Sequence, residues 1–186
     1  MKIQSSILLN DLKEKTFKMI HQVESFKHIP ENQLNHQPAE NKWSVLKCIG
    51  HLNFYSDFYI KEFENRILSA KHSCSEFHKT GFIGNKFAKS MLPTEDGIPM
   101  KIKTFKSKTP KKSELSITTI DKFLKQQKEI VQLIGKSREV CLTRTKCNIT
   151  IKFIKLRFGD ALRFYTFHNI RHIVQAAKVI GKNFEF

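Results

Sequence analysis

Apolar side chains return every three or four residues through most of the chain, and that spacing predicts four long helices. Over residues 3–28, Leu8, Leu12, Thr16, Met19, Val23 and Phe26 form one stripe, widened by Leu9 and Ile20. This is the period of an amphipathic helix. Pro30 ends it, and residues 30–43 are polar and read as a connection. Ser44 is placed to cap the next helix, because its hydroxyl can accept from a free first-turn N–H. That helix is expected to run to about Ala70, with Val45, Ile49, Leu52, Ser56, Tyr59 and Phe63 along one face.

From Lys71 to about Glu114 the period is lost, over a stretch too long for an ordinary connection. Gly81, Gly84, Pro93, Gly97, Pro99 and Pro110 punctuate it, and one short amphipathic piece runs from Asn85 to Met91. It reads as a crossover that carries part of the function or a partner surface. A third helix is expected over about Ser116 to Thr145, with Phe123, Ile130, Leu133 and Ile134 in the core. Residues 148–158 then alternate, Ile149, Ile151 and Phe153 against Thr150, Lys152 and Ile154, as an extended segment or brief strand. Gly159-Asp160 opens a last helix that is expected to stop at Gly181. The expected fold is all-α: one domain over residues 1–186, a four-helix bundle with a long crossover between the second and third helices.

Composition agrees with that reading. The 186 residues are 40% apolar and include sixteen Phe, enough for a core, while seven Gly and five Pro are too few for an all-β chain. The apolar run Ile7-Leu8-Leu9 is cut short by Asn10-Asp11, below the ~7–15 residues of a secretory signal. Nothing approaches the ~18 apolar residues of a membrane helix. Cys48, Cys74, Cys141 and Cys147 contain no C-x-x-C pair, so four reduced thiols in a cytoplasmic protein with no membrane partner are expected.

Charge adds a second theme. Thirty-three basic residues against seventeen acidic give +16, and residues 101–155 alone hold fifteen basic and four acidic side chains. Such a field attracts nucleic acid, anionic lipid or an anionic small substrate without choosing among them. Lys101, Lys103, Lys106, Lys108, Lys111 and Lys112, with Phe105 among them, resemble a phosphate-tracking strip.

Of the eight histidines, only His168 and His172 are spaced i, i+4, which on a helix stacks two imidazoles on one face. Such a pair is common by chance, but Ala161, Phe164, Tyr165, Gln175, Ala176 and Val179 share the face, so it points toward the core. Two buried imidazoles need partners, either a metal ion or hydrogen bonds. His51 is the best third candidate, mid-helix, with Tyr55 and Phe58 on its own side and Gly50 permitting close approach; a packed, hydrogen-bonded histidine is the plainer alternative. His72 and His78 fall in the crossover and are expected to be exposed. Asn169 stands where a zinc peptidase helix has its glutamate base, which excludes that chemistry. Trp43, the single Trp, is expected to be a packing anchor.

The segments Asn41-Lys42-Trp43-Ser44-Val45-Leu46, Ile49-Gly50-His51-Leu52-Asn53, Gly159-Asp160-Ala161 and His168-Asn169-Ile170-Arg171-His172-Ile173-Val174-Gln175 carry a likeness. They resemble the DinB-like (YfiT-like) metalloproteins, bacterial four-helix bundles often described as metal-dependent hydrolases. The order of elements fits as well, and the likeness covers nearly the whole chain. The resemblance implies a metal held by His51, His168 and His172, and a homodimer. It also implies an enzyme that hydrolyses a small substrate or transfers a low-molecular-weight thiol.

Three neutral imidazoles leave positions open for water or substrate, as in a catalytic site. All-nitrogen ligation suits Zn, Ni, Fe or Mn alike. No general base stands out. Asp160 is too far from His168 along the helix, and Glu62, Tyr55, Asn169 and Gln175 are candidates only for supporting contacts. Two alternatives stand beside the enzyme: a nucleic-acid-binding or stress-related protein using the basic 101–155 stretch, and a metal-binding bundle without turnover.

Overall fold

The computed structural model describes residues 1–93, 110 and 115–186. Four long helices form the bundle: α1 (Ser5–Ser25), α3 (Val45–Leu68), α5 (Thr118–Lys136) and α6 (Phe158–Val179). A short α2 (Glu31–Asn35) precedes α3, and α4 (Phe82–Met91) lies in the crossover. Two small antiparallel pairs complete the described elements. Strand β1 (Lys2–Gln4) pairs with β2 (Phe77–Lys79), and β3 (Lys146–Asn148) pairs with β4 (Lys155–Arg157).

The apolar stripes become the core. Leu8, Leu12, Met19, Val23 and Phe26 of the N-terminal stripe are buried, as are Val45, Ile49, Leu52, Tyr59 and Phe63 of α3 and Phe123, Ile130, Leu133 and Ile134 of α5. Around the bundle the helices neighbour one another in the order α1, α5, α3, α6, with α4 packed against the outside of α6. Helix α6 therefore has partners on every side, and every residue from Phe158 to Val174 is buried. The sequence shows one core-facing stripe there; the cover supplied by α4 buries the rest. Between α3, α5 and α6 a polar node crosses the core. Gln127 Nε2 donates to Tyr165 Oη at 2.8 Å, and the Ser56 and Tyr165 hydroxyls are 2.8 Å apart, so buried polar groups are paired with each other.

The helix ends follow local chemistry. Ser44 caps α3 as expected, its hydroxyl accepting from Lys47 N–H at 3.2 Å. Gly181, at φ +66°, closes α6: its N–H reaches Lys178 O and that of Lys182 reaches Ala177 O at 2.9 Å.

Three sequence expectations need correction. Helix α1 starts at Ser5, because residues 2–4 pair with a distant strand; Ser5 N–H also donates to Glu76 O at 2.8 Å. Helix α5 ends at Lys136 instead of about Thr145. The Ser137 hydroxyl bonds back to Leu133 O at 2.7 Å, a 3₁₀ turn covers Ser137–Glu139, and Val140, Cys141 and Leu142 leave the helix but stay buried. Phe153 does not share a face with Ile149: it sits at φ +65° in the turn between β3 and β4 and is fully exposed, while Ile149 is buried.

Candidate metal centre

His51 lies two turns into α3, and His168 and His172 lie one turn apart on the neighbouring α6. The structure brings all three together: their ligand atoms lie within 4.8 Å of one another. His51 Nε2 and His168 Nε2 are 3.3 Å apart. The His51 and His172 ring centroids are 4.5 Å apart, and those of His168 and His172 are 4.7 Å apart. Among the described residues this is the one grouping of three or more His, Cys, Asp or Glu ligands.

Burial rules the electrostatics. His51, His168 and His172 are 1%, 6% and 9% exposed. Desolvation drives the His168 pKa well below the usual histidine range, helped by neighbouring His172, His51 and Arg171. His172 is pushed down to about 3, chiefly by burial and then by His51, with its Gln175 hydrogen bond acting in the opposite sense. These two imidazoles are therefore neutral near pH 7, the form in which histidine donates a lone pair.

The neighbours hold the rings in register. Gln175 Oε1 lies 3.0 Å from His172 Nδ1. An amide oxygen only accepts, so Nδ1 carries the proton and Nε2 keeps its lone pair. Tyr55, four residues after His51, packs on His51 at 4.8 Å and on His168 at 4.3 Å. Trp43 is half-buried, 4.9 Å from the His51 ring and stacked at 5.7 Å on His172. It is the packing anchor expected, but what it packs on is the imidazole cluster. Its place one residue before the cap and eight before His51, two helical turns, was the signal for that contact. Gly50 presents its bare backbone to Pro110 and Leu115, whose side chains lie 3.2 Å from where a Cβ would be.

The trio could hold a cation. Nitrogens about 2.0–2.1 Å from a tetrahedral zinc stand roughly 3.3–3.4 Å apart, the spacing seen between the two Nε2 atoms. A hydrogen bond between those atoms satisfies one pair and leaves the third ring outside it. His168 Nδ1 is buried and has no partner among the described residues.

The other candidates sit elsewhere. Glu62 is eleven residues beyond His51, about 16 Å along α3, where it accepts from Asn148 N–H, the Asn148 side chain and Arg66. Asn169 is fully buried in α6. Asp160 lies eight residues before His168, about 12 Å along α6. His72 is exposed, as expected, but His78 is not: it is completely buried, its Nε2 3.2 Å from Asp160 Oδ1. Pairing of β2 with β1 turns His78 inward, and Gly159 leaves room for its ring. The strip from Lys101 to Lys108, with Lys111 and Lys112, lies outside the described residues.

A sequence model of the DinB superfamily matches residues 16–176. The chain belongs to the DinB superfamily. All three histidines fall inside that match. Among solved structures, this DinB-superfamily chain is similar to YfiT from Bacillus subtilis, with a TM-score of 0.53 and 13% identity over 96% of this chain and 89% of that one. YfiT is described as a probable metal-dependent hydrolase with an unusual four-helix bundle topology. The likeness supports the shared bundle fold. No curated protein matches. Among the described residues, no helix is long and apolar enough to cross a membrane.

Proposed function

We propose that His51, His168 and His172 hold one divalent metal ion, and that the chain is a metal-dependent enzyme acting on a small substrate as a hydrolase or a thiol transferase. The observation that carries this reading is the convergence of the three buried imidazoles, with His51 and His168 Nε2 3.3 Å apart and two of the three rings held neutral by burial. The description of YfiT as a probable metal-dependent hydrolase points the same way.

A bound Zn, Ni, Fe or Mn would supply Lewis acidity there, ionising water or a thiol near neutral pH. The chain's own residues do the positioning. Gln175 holds the tautomer of His172, Tyr55 packs on His51 and His168, and Trp43 covers His51 and His172. As ligands, three imidazoles bring no negative charge of their own to the ion. That favours an anionic ligand, a thiolate or a small carboxylate or phosphate, at the open position.

Elemental analysis tests the site. About one equivalent of metal in the wild type, lost in both His51→Ala and His168→Ala, is the expected result. No metal after supplementation would overturn it. Metal without turnover across thiol-transfer and hydrolysis assays would instead favour a non-catalytic bundle. On the resemblance to DinB-like bundles we also propose a cytoplasmic homodimer of single-domain protomers, which light scattering tests by mass.

A further inference from the structure

Two cysteines far apart in sequence lie on contacting segments outside the imidazole site. Cys141 follows the 3₁₀ turn after α5, and Cys74 lies in the connection between α3 and β2. Cys141 N–H donates to His72 O at 3.3 Å, and Cys141 Sγ lies 3.6 Å from Ser75 Oγ. His72, two residues before Cys74, and Ser75, one after it, therefore both touch Cys141. Consecutive α-carbons are ~3.8 Å apart, so Cys74 lies within about 8 Å of chain of both contacts, and a bridge requires its α-carbon and that of Cys141 to come within ~4.4–6.8 Å.

We propose that Cys74 and Cys141 form a redox pair that a low-molecular-weight disulfide oxidises to an intramolecular disulfide. The two thiols divide the work. Cys74 is exposed and Cys141 is buried, so Cys74 meets the oxidant. Its sulfur attacks the small disulfide, forms a mixed disulfide and releases one small thiol. Cys141 then attacks the Cys74 sulfur and expels the second small thiol, which takes the proton from Cys141. Two protein thiols are oxidised and one small disulfide is reduced to two thiols.

Cys141 is suited to the second step. Burial alone would raise its pKa, but the N–H groups of Arg144 and Thr143, the Ser75 hydroxyl and the Arg144 charge outweigh it and bring the pKa below the ordinary thiol value. The remaining cysteines are the opposite case. Cys48 and Cys147 are buried, and desolvation raises both thiols far above the usual range. Oxidation is thereby confined to the Cys74–Cys141 pair, and the bridge would tie the α3–β2 connection to the segment after α5.

The test is incubation of the purified protein with oxidised glutathione, thiol counting in denaturant, and peptide mapping. Four titratable thiols should fall to two, with a disulfide-linked peptide pair containing Cys74 and Cys141. In Cys141→Ser, the mixed disulfide should persist on Cys74. In Cys74→Ser, an exposed and mild change, Cys141 should stay reduced. Four thiols remaining, a bridge to another cysteine, or glutathione on Cys141 in the Cys74→Ser protein would each overturn the proposal. None of these readouts depends on metal content.

Discussion

Asp160 illustrates what a single buried carboxylate can organise. It is fully buried and accepts from Gly81 N–H at 2.7 Å, His78 Nε2 at 3.2 Å and Arg163 Nη1 at 3.4 Å. These bonds clasp the crossover to the first turn of α6. Asp160→Ala would leave the buried Arg163 with Asn85 Oδ1 but without the carboxylate beside it, a loss of about 3–5 kcal/mol; urea denaturation should show a loss of that order, and Asp160→Asn a smaller one. At His172 the relevant variable is pH. The folded protein keeps this imidazole neutral down to about 3, whereas the unfolded chain takes up a proton near 6.5. Its contribution to stability is therefore complete above pH 6.5 and is lost as pH falls toward 3. For the metal-free protein the loss should reach about 2 kcal/mol from His172 by about pH 5. Thermal melts across that range should show the drop, and His172→Gln should reduce it, leaving the share that belongs to His168. Gln175→Leu removes the acceptor that fixes the His172 tautomer, and metal affinity should fall by roughly 10–100-fold in a chelator competition. The His168–His172 pair was legible in the sequence because i, i+4 spacing on a helix sets it on one face, whereas His51 joined it as a ligand only through the resemblance. The Asp160 clasp was not legible, because its partners are 79 and 82 residues away and nothing local marks His78 as buried.

At the scale of elements, the long helices were legible because each buries a stripe with the helical period. Their ends were less so. Ser44 and Gly181 act through their own backbone neighbourhood and could be read in place. The start of α1 and the end of α5 depend on contacts made elsewhere, β1 with β2 and the buried Val140–Leu142 run with the core. The contact between crossover and α6 is tight enough to test with one methyl group. A Cβ on Gly159 would stand 2.8 Å from the buried His78 ring. Gly159→Ala should therefore destabilise by about 1–3 kcal/mol, as overpacked sites do, although alanine is the better helix former; the midpoint of urea unfolding should fall with an unchanged slope.

For the whole molecule, the four-helix bundle agrees with what the periodicity foretold, and membership in the DinB superfamily agrees with the resemblance carried by the segments around Trp43, His51 and His168. The all-round burial of α6 did not follow from the sequence, because the short amphipathic piece that covers its outer face carries no local sign of which helix it packs against. That burial has a kinetic consequence. Backbone amides at the centre of α6 exchange with solvent only when the bundle itself opens, so their protection should approach the free energy of global unfolding. An ion held there, as proposed, would have two of its three ligands on a helix that keeps its shape until the bundle opens.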